Sequence, residues 1–386
     1  MTEREARIAF NMIPAVGAVT VARLAAEAGG SVAAAYERYP RKQDWEGREP
    51  DWARELERAE KMHVRIVTEI DPGYPPQLGT IASPPLALYV VGDPAALAHP
   101  GVALVGTRAA TAYGRDVAER FAFGLAQRGW VVVSGLARGI DAAVHRGALA
   151  GGGVTVGVLG GALDMFYPTE NRALAREMVE KGGCVVSEFP FGRSPDPQTF
   201  PQRNRIVSGL SRGVVAVECP LHSGTLITCA RALEQSRAVM AVPGRIDWKT
   251  SAGCLHLIRE GARMVTGVDD IVEELTPLGG AGTPSPPAPP AVRAHPPSPP
   301  SPAPKACSRP RAALPEVRLS LEEASLLGAI PEGGTTVDAL ARGVGMGAAH
   351  ANAVLVGLRL KGRIRFLPGN RVATAQKMVT CQSKCD

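Results

Sequence analysis

The sequence predicts an α/β fold: a doubly wound, mainly parallel sheet of the extended Rossmann-like class between two smaller domains. Short apolar runs alternate with amphipathic, helix-like segments through the middle of the 386-residue chain. Parallel strands that helices cover on both faces are apolar along their whole length, and crossover helices separate them. A helical stretch precedes this region, and a Pro-rich stretch and a compact C-terminal pattern follow it.

Seven apolar runs are predicted to be strands. They are residues 102–105, 130–133, 154–159, 184–186, 214–217, 238–242 and 263–265. Helix-like segments lie between most of these runs, and such alternation is typical of doubly wound sheets. The clearest of these segments are residues 115–127, 140–149, 171–181 and 226–235.

We divide the chain into four parts. Residues 1–70 are predicted to form a helical domain of the SAM-like or helix-hairpin-helix type, and residues 71–276 the Rossmann-like domain. Residues 277–315 contain 14 of the 33 prolines and no hydrophobic period, which indicates a disordered linker. Residues 316–386 are predicted to form a winged-helix-like domain.

The flanking domains each leave two interpretations open. The turn at residues 13–17 resembles that of a hairpin that offers backbone N–H groups to a phosphate, but it also suits simple helix packing. At the other end, helices at 321–329, 337–342 and 348–360 precede a hairpin at 363–374. Its third helix is apolar with few basic residues early on, so contact with a protein partner is as plausible as contact with DNA.

Composition limits the kind of partner and compartment. The net charge is +6, yet residues 71–276 contain 19 basic and 19 acidic residues, so a DNA site there must be a focused cluster. The seven cysteines form no Cys-x-x-Cys pair, which predicts reduced thiols and no metal site. The apolar runs are too short to cross a bilayer, and residues 1–7 do not resemble a signal peptide. A cytoplasmic protein without membrane contact is therefore expected.

Small or polar residues follow almost every predicted strand. In a doubly wound sheet, ligands bind beyond the carboxyl ends of the strands. Glycine lets a ligand approach the backbone closely, and arginine forks to phosphate oxygens. The sequence therefore predicts a pocket for phosphate groups at this edge. The residues assigned to it are Gly106, Thr107, Arg108, Ser134, Gly135, Arg138, Gly139, Asn171, Arg172, Ser223, Gly224 and Thr225.

The stretch Phe200-Pro201-Gln202-Arg203-Asn204-Arg205 favours single-stranded nucleic acid. Phenylalanine stacks on unpaired bases, and arginine either neutralises a phosphate or stacks, whereas a duplex hides the faces of its bases. We assign Phe200, Arg203, Asn204 and Arg205 to the DNA site. The alternative, in which Phe200 is part of the core and the two arginines form internal salt bridges, stays open at this point.

Cofactor and catalytic patterns are missing from the sequence. The first turn, Gly106-Thr107-Arg108-Ala109-Ala110-Thr111, lacks the Gly-x-Gly-x-x-Gly fingerprint of dinucleotide sites, and the second strand ends in Ser134 rather than an acidic residue. A P-loop motif is also missing. His145 follows Asp141 by one helical turn, which indicates packing more than catalysis. We therefore predict no cofactor and no enzymatic activity.

These motifs, taken in order, resemble those of the DNA-processing protein A (DprA/Smf) family. The resemblance covers roughly residues 71–267. It includes Tyr74-Pro75-Pro76, Val105-Gly106-Thr107-Arg108, Ser134-Gly135-Leu136-Ala137-Arg138-Gly139-Ile140-Asp141, Tyr167-Pro168 with Asn171, Ser187-Glu188, Phe200-Pro201 with Arg203-Asn204-Arg205, Glu218 and Ser223-Gly224-Thr225.

The resemblance implies single-stranded DNA binding during natural transformation, protection of incoming DNA and loading of the RecA recombinase. It also implies a homodimer built through the central domain. Thr169 and Arg172 stand where many family members carry lysines near the DNA, so the cation at that point differs. The competing hypothesis is a nucleotide-processing enzyme, because phosphoribohydrolases of the same fold carry a motif faintly similar to Ser223-Gly224-Thr225 with Glu234.

Overall fold

The computed structural model describes residues 1–99, 101–276, 321–331, 335–347, 350–351, 354–355, 358, 363–367 and 371–374. Its contacts divide the chain into two units, Met1–Ala294 and His295–Asp386. The predicted linker, residues 277–315, lies outside the described residues. The division of the chain into four parts stays a prediction.

Four helices open the first unit: α1 (Glu3–Asn11), α2 (Ala18–Glu27), α3 (Val32–Arg38) and α4 (Trp52–Lys61). Helix α1 begins at a capping box, in which the Thr2 hydroxyl accepts from the Glu5 backbone N–H and the Glu5 carboxylate accepts from the Thr2 N–H. Phe10 of α1 packs edge-on against Tyr36 of α3, with ring centroids 5.0 Å apart. The helices therefore share a small apolar core.

The rest of this unit is a sheet with its crossover helices. Its elements are β1 (Arg65–Thr68), α5 (Pro76–Gly79), β2 (Ala87–Gly92), β3 (Gly101–Gly106), α6 (Ala112–Gln127), β4 (Val131–Ser134), α7 (Ile140–Ala150), β5 (Thr155–Val158), α8 (Arg172–Glu180), β6 (Cys184–Ser187), α9 (Thr199–Gly209), β7 (Ser211–Glu218), α10 (Gly224–Glu234), β8 (Ala238–Ala241), α11 (Ala252–Arg259), β9 (Arg263–Met264) and α12 (Val268–Leu275).

The sheet has nine strands in the order β1-β2-β6-β5-β4-β3-β7-β8-β9. Seven neighbouring strands of this order, β6-β5-β4-β3-β7-β8-β9, are parallel to one another. Strand β2 is antiparallel to β6, and β1 is antiparallel to β2. The predicted doubly wound, mainly parallel sheet is therefore confirmed. Strands β1 and β2 are additional to the seven strands predicted from the sequence. From β3 the chain builds outwards through β4, β5 and β6, then returns to the other side of β3 as β7, which creates a topological switch point between β3 and β7.

Helices cover both faces of the sheet. Along β3, Val102 and Leu104 face the core formed with α6, α7 and α12, whereas Ala103 and Val105 face the core formed with α9, α10 and α11. All four side chains are buried. Alternate residues of one strand thus enter two apolar layers, which explains why the strand sequences are continuously apolar.

A buried carboxylate fastens the N-terminal helices to the sheet. Glu55 of α4 is 3% exposed and accepts hydrogen bonds from the Tyr89 hydroxyl (2.9 Å) and the Phe191 N–H (2.8 Å). Burial raises the pKa of the Glu55 carboxyl, and these two hydrogen bonds oppose that rise. The helices and sheet therefore pack as parts of one unit.

Strand β1 lies at the edge of the sheet, and its outer side is already hydrogen-bonded. The Arg4 guanidinium donates to the Ile66 carbonyl (2.7 Å), while the Asp71 carboxylate accepts from the Thr68 N–H (2.8 Å). The Thr68 carbonyl accepts from the Asp71 N–H at 2.9 Å. Arg4 and Asp71 also pair with each other at 3.2 Å. Helix α1 and the turn after β1 therefore cover this edge.

The second unit contains α13 (Leu321–Gly328), β10 (Thr335–Thr336), α14 (Val337–Val344), β11 (Ile364–Leu367) and β12 (Arg371–Thr374). The three strands form an antiparallel sheet in the order β10-β12-β11. The predicted helix at 348–360 falls partly outside the described residues. Among the described residues, two helices and the hairpin predicted for the winged-helix-like domain are present.

Candidate nucleic-acid interface

A cleft of about 350 Å³ opens at the switch point between β3 and β7. The carboxyl ends of parallel strands meet at this edge, where doubly wound folds bind their ligands. We refer to it as the cleft. Its lining residues are Val105, Gly106, Thr107, Arg108, Ala137, Asp141, Phe200, Pro201, Arg203, Asn204, Val207, Pro220, His222, Ser223, Gly224, Thr225, Ile227 and Thr228.

The turn that carries Arg108 is held by buried Glu218 at the end of β7. The Glu218 carboxylate accepts hydrogen bonds from the backbone N–H and the hydroxyl of Thr111, both at 2.9 Å. The Glu218 carbonyl accepts from the Thr107 N–H at 2.7 Å. Both ends of the β3–α6 turn are therefore tied to the neighbouring strand, which fixes the position of Arg108.

Gly139 allows helix α7 to begin directly against this turn. Its φ is +73°, in the left-handed region that favours glycine. A β-carbon at this position would lie 2.6 Å from the Arg108 carbonyl oxygen and closer still to that of Thr107. Gly139 was predicted to let a ligand approach the backbone closely. In the structure it instead allows helix α7 to lie close to the β3–α6 turn.

Arg108 projects into the cleft above an aromatic ring. Its guanidinium carbon lies 4.5 Å from the centroid of the Phe200 ring, and its side chain is exposed. Within the described part of the chain, Arg108 forms no hydrogen bond or ion pair. The Phe200 ring lies 6.4 Å from that of Tyr167, which in turn contacts Arg138 at 5.9 Å. Cations and aromatic rings therefore alternate along this side of the cleft.

Arg203 brings a buried positive charge to the floor of the cleft. It is 5% exposed, and among the described residues its guanidinium has no hydrogen-bond partner and no ion pair. It packs against Gly135, where a β-carbon would overlap the guanidinium. Burial lowers the pKa of Arg203, and the nearby Asp141 carboxylate raises it. A buried cation without acceptors is costly, so an anion in the cleft would stabilise it.

Asp141 is the acidic group that faces Arg203. It is 6% exposed and accepts a long hydrogen bond from the Ala137 N–H at 3.4 Å. Burial raises the pKa of the Asp141 carboxyl, while the charge of Arg203 lowers it. This carboxylate partly offsets the positive charge at the floor of the cleft.

The N-terminus of α10 closes the opposite wall. Ser223 precedes the helix, but its hydroxyl does not cap it and has no partner among the described residues although the oxygen is buried. The first N–H groups of this 11-residue helix, at Gly224 and Thr225, point out of its N-terminus. Asn204 donates to the Gly224 carbonyl at 3.3 Å, which joins α9 to this wall. Such a helix terminus is suited to a phosphate.

Seven predicted site residues lie outside the cleft lining: Gly135, Gly139, Ser134, Arg138, Asn171, Arg172 and Arg205. The buried Ser134 donates to the Leu104 carbonyl at 2.7 Å, and Asn171 donates to the Leu136 carbonyl at 2.8 Å. Arg138 pairs with Glu170 beside the cleft, Arg205 pairs with Glu188, and Arg172 lies over the Phe166 ring. Internal salt bridges were the alternative prediction for Arg203 and Arg205. Arg205 forms one with Glu188, whereas Arg203 forms none among the described residues.

Several residues that line the cleft were not predicted from the sequence. Asp141, His222 and Thr228 stand there although none was placed in the DNA site. His222 and Asp141 both follow predicted strands, so their positions past a strand end were the available signal. Thr228 is one helical turn after Gly224 and gave no separate signal.

The described residues show no catalytic or metal arrangement at the cleft. No group of three His, Cys, Asp or Glu side chains there is placed to hold a metal ion. His145 is buried against Thr155, and burial lowers its pKa to about 3, so it is neutral. Glu234 pairs with Arg231 at the far end of α10, roughly 15 Å along the helix from Gly224. The carboxylate that the enzyme hypothesis requires is therefore remote from the cleft.

A family model for the DNA recombination-mediator protein A matches residues 65–276, which span the nine-stranded sheet and the cleft. The chain belongs to this family. The DprA/Smf resemblance is thereby confirmed. A model of the DprA winged helix domain matches residues 293–370, so the C-terminal unit contains a winged helix, as predicted.

Curated relatives of this family match about half of the chain. Protein Smf of Escherichia coli is 46% identical over 202 residues, covering 52% of this chain and 54% of that protein. DNA processing protein DprA of Streptococcus pneumoniae is 44% identical over 205 residues, covering 53% of this chain and 72% of that protein. The chain thus spans about half of the first relative's length. The second of these relatives is named for DNA processing.

Two solved structures of the family are similar to this one. DNA processing protein A from Streptococcus pneumoniae has a TM-score of 0.60 and 34% identity, covering 71% of this chain and 98% of that chain. The protein from Helicobacter pylori has a TM-score of 0.50 and 29% identity, covering 55% of this chain and 95% of that one. The Helicobacter pylori structure concerns the single-stranded DNA binding mode of that bacterium's DNA processing protein A. Across the described ranges of the present chain, every helix is too short or too polar to span a lipid bilayer.

Proposed function

We propose that the cleft binds single-stranded DNA and that the chain acts through this binding in recombination. The observation that carries the proposal is the buried guanidinium of Arg203, which has no acceptor among the described residues. A backbone phosphate would supply acceptor oxygens and an opposite charge. The N–H groups at the start of α10 and the Ser223 hydroxyl lie on the facing wall and would bind the same phosphate.

The aromatic side of the cleft favours single strands. Phe200 is partly exposed and Tyr167 is 42% exposed, so both rings are accessible to a base. Arg108 lies over Phe200 and is free to stack or to fork to a phosphate. Duplex DNA hides the base faces that such rings recognise. Phosphate and base contacts together therefore support binding of an unpaired strand.

The protein is expected to bind a 20-nucleotide single strand at least about tenfold more tightly than a duplex of equal length, because only the single strand offers base faces for stacking. Fluorescence anisotropy at matched salt measures both affinities. The affinity for the single strand should fall as salt increases, since phosphate contacts release counterions. Equal affinity for the two forms would contradict the proposal.

Lowering the pH is expected to strengthen single-strand binding through Asp141. Burial raises the pKa of this carboxyl, so protonation removes its negative charge from the floor of the cleft as the pH falls. Asp141→Asn should therefore tighten binding at neutral pH by about threefold to tenfold, as expected for one partly screened charge. Titrations from pH 8 to 5.5 at constant ionic strength measure both effects.

A control is needed because an imidazole, that of His222, also lines the cleft. The pH series is therefore run in a His222→Gln background. In this background the remaining pH dependence should disappear when Asp141→Asn is added. An unchanged pH dependence in the double variant would remove Asp141 from the explanation.

We further propose the role that the family resemblance implies. In this role a cytoplasmic homodimer protects incoming DNA during natural transformation and loads the RecA recombinase onto it. Family membership supports the DNA-processing part of this role. Exposed apolar side chains toward the β9 end of the chain's sheet, Ile246 at 91% and Met264 at 52%, are available to a second copy. Light scattering measures the oligomer, and RecA filament assembly on single-stranded DNA measures loading.

A further inference from the structure

We propose that helix α8 carries a second single-stranded DNA subsite, in which Arg172 and Arg176 bind the strand as it leaves the cleft. The proposal rests on the proposed function of the cleft and extends its DNA path. It concerns a groove of about 260 Å³ between α8 and the sheet, which we call the α8 groove.

Apolar side chains form the base of the α8 groove, and two arginines border it. The base includes Phe166, Ala175 and Val185, and the cations are Arg172 and Arg176. Phe166 is only partly buried. The surface therefore combines an aromatic ring with positive charge, the combination by which proteins hold unpaired strands.

The two arginines are available to an anion. They lie one turn apart on α8, a rise of about 6 Å, and both are exposed. Neither forms a hydrogen bond or ion pair within the described ranges, and the one contact recorded for Arg172 is with the Phe166 ring at 5.8 Å. The neighbouring cations differ, since Lys181 pairs with Glu177 and Arg138 with Glu170. Positive charge without a counter-charge thus borders this groove.

The aromatic rings beside the cleft are followed by Phe166 at the α8 groove. Tyr167 contacts Phe200 and Arg138 on the cleft side, whereas the adjacent Phe166 contacts Arg172 on the α8 side. A strand that stacks on Phe200 and Tyr167 therefore meets Phe166 and then the two guanidiniums. An acidic peptide could also pair with the two arginines. The row of aromatic rings that leads from the cleft favours DNA as the occupant, because bases stack on such rings.

The test compares short and long oligonucleotides on the full chain. The proposal expects thymidine hexamers to occupy the cleft, whereas 20-mers reach the α8 groove as well. Arg176→Ala is expected to weaken binding of the 20-mer by roughly fivefold and to lower its salt dependence by about one phosphate contact, while hexamer binding stays unchanged. The matched control is Arg120→Ala, which removes an exposed arginine from α6.

The outcomes separate the two proposals. An equal effect of Arg176→Ala and Arg120→Ala on the 20-mer would overturn the second subsite while leaving the cleft intact. Failure of the unaltered protein to bind either oligonucleotide would overturn the proposed function itself. Loss of hexamer binding in Arg108→Ala supports the cleft, and weaker 20-mer binding in Arg176→Ala than in Arg120→Ala, with hexamer binding retained, supports the second subsite.

Discussion

Replacing Arg108 with alanine is expected to weaken single-stranded DNA binding by about 1–3 kcal/mol, by analogy with single base-stacking contacts. This corresponds to roughly fivefold to 150-fold in Kd. The side chain is exposed and, among the described residues, contacts the Phe200 ring without any ion pair, so its removal should leave the fold intact. Anisotropy titrations with a 20-nucleotide strand measure the loss.

The conservative variant distinguishes the chemistry of the contact. Arg108→Lys should recover only part of the affinity, because an ammonium neither forks to a phosphate nor stacks as a guanidinium does. Arg120→Ala again controls for the loss of one exposed positive charge. If a folded Arg108→Ala protein binds as tightly as the unaltered chain across a salt titration, Arg108 is not a ligand and the cleft is in doubt.

Gly139→Ala is expected to destabilise the fold by roughly 3 kcal/mol or more, which combines about 1–2 kcal/mol for left-handed backbone with a steric clash. The new β-carbon would press on the Thr107 and Arg108 carbonyls, which belong to a turn that Glu218 already holds in place. Because that turn carries Arg108, DNA binding should fall as well. Urea denaturation measures the free energy of unfolding.

Gly152 provides a matched control, because its φ is also +73° but a β-carbon there would meet no atom within 4 Å. Gly152→Ala should therefore cost only the backbone penalty of about 1–2 kcal/mol. The difference between the two variants measures the clash at the β3–α6 turn together with the unfavourable ψ of −121° at Gly139. Similar losses at both positions would show that this close approach does not constrain the cleft.

The parallel part of the sheet was predictable because each strand is apolar on both faces and a helix follows most of them. The antiparallel strands β1 and β2 were not predictable in this way, because they do not alternate with long helices. Between these two strands the chain forms only α5, a helix of four residues. A short apolar run without a neighbouring crossover helix gives no comparable signal.

The position of the cleft was predictable from chain order, but the direction of single side chains was not. Parallel strands bring their carboxyl ends to one edge, which places Gly106, Arg108 and Ser223 around one cleft. Arg203 and Arg205 are close in sequence, yet both belong to helix α9. Residues two apart on a helix point about 200° apart, which explains why Arg203 lines the cleft and Arg205 pairs with Glu188.

The covered edge of β1 also protects the protein against aggregation in concentrated solution. An open strand edge offers a row of donors and acceptors on which another chain can build, and this is a common route to aggregation. Here the Ile66 carbonyl and both backbone groups of Thr68 are already bonded to Arg4 or Asp71. Helix α1 and the turn after β1 therefore block the addition of another strand at the β1 edge of the sheet. This role is separate from any contact with DNA.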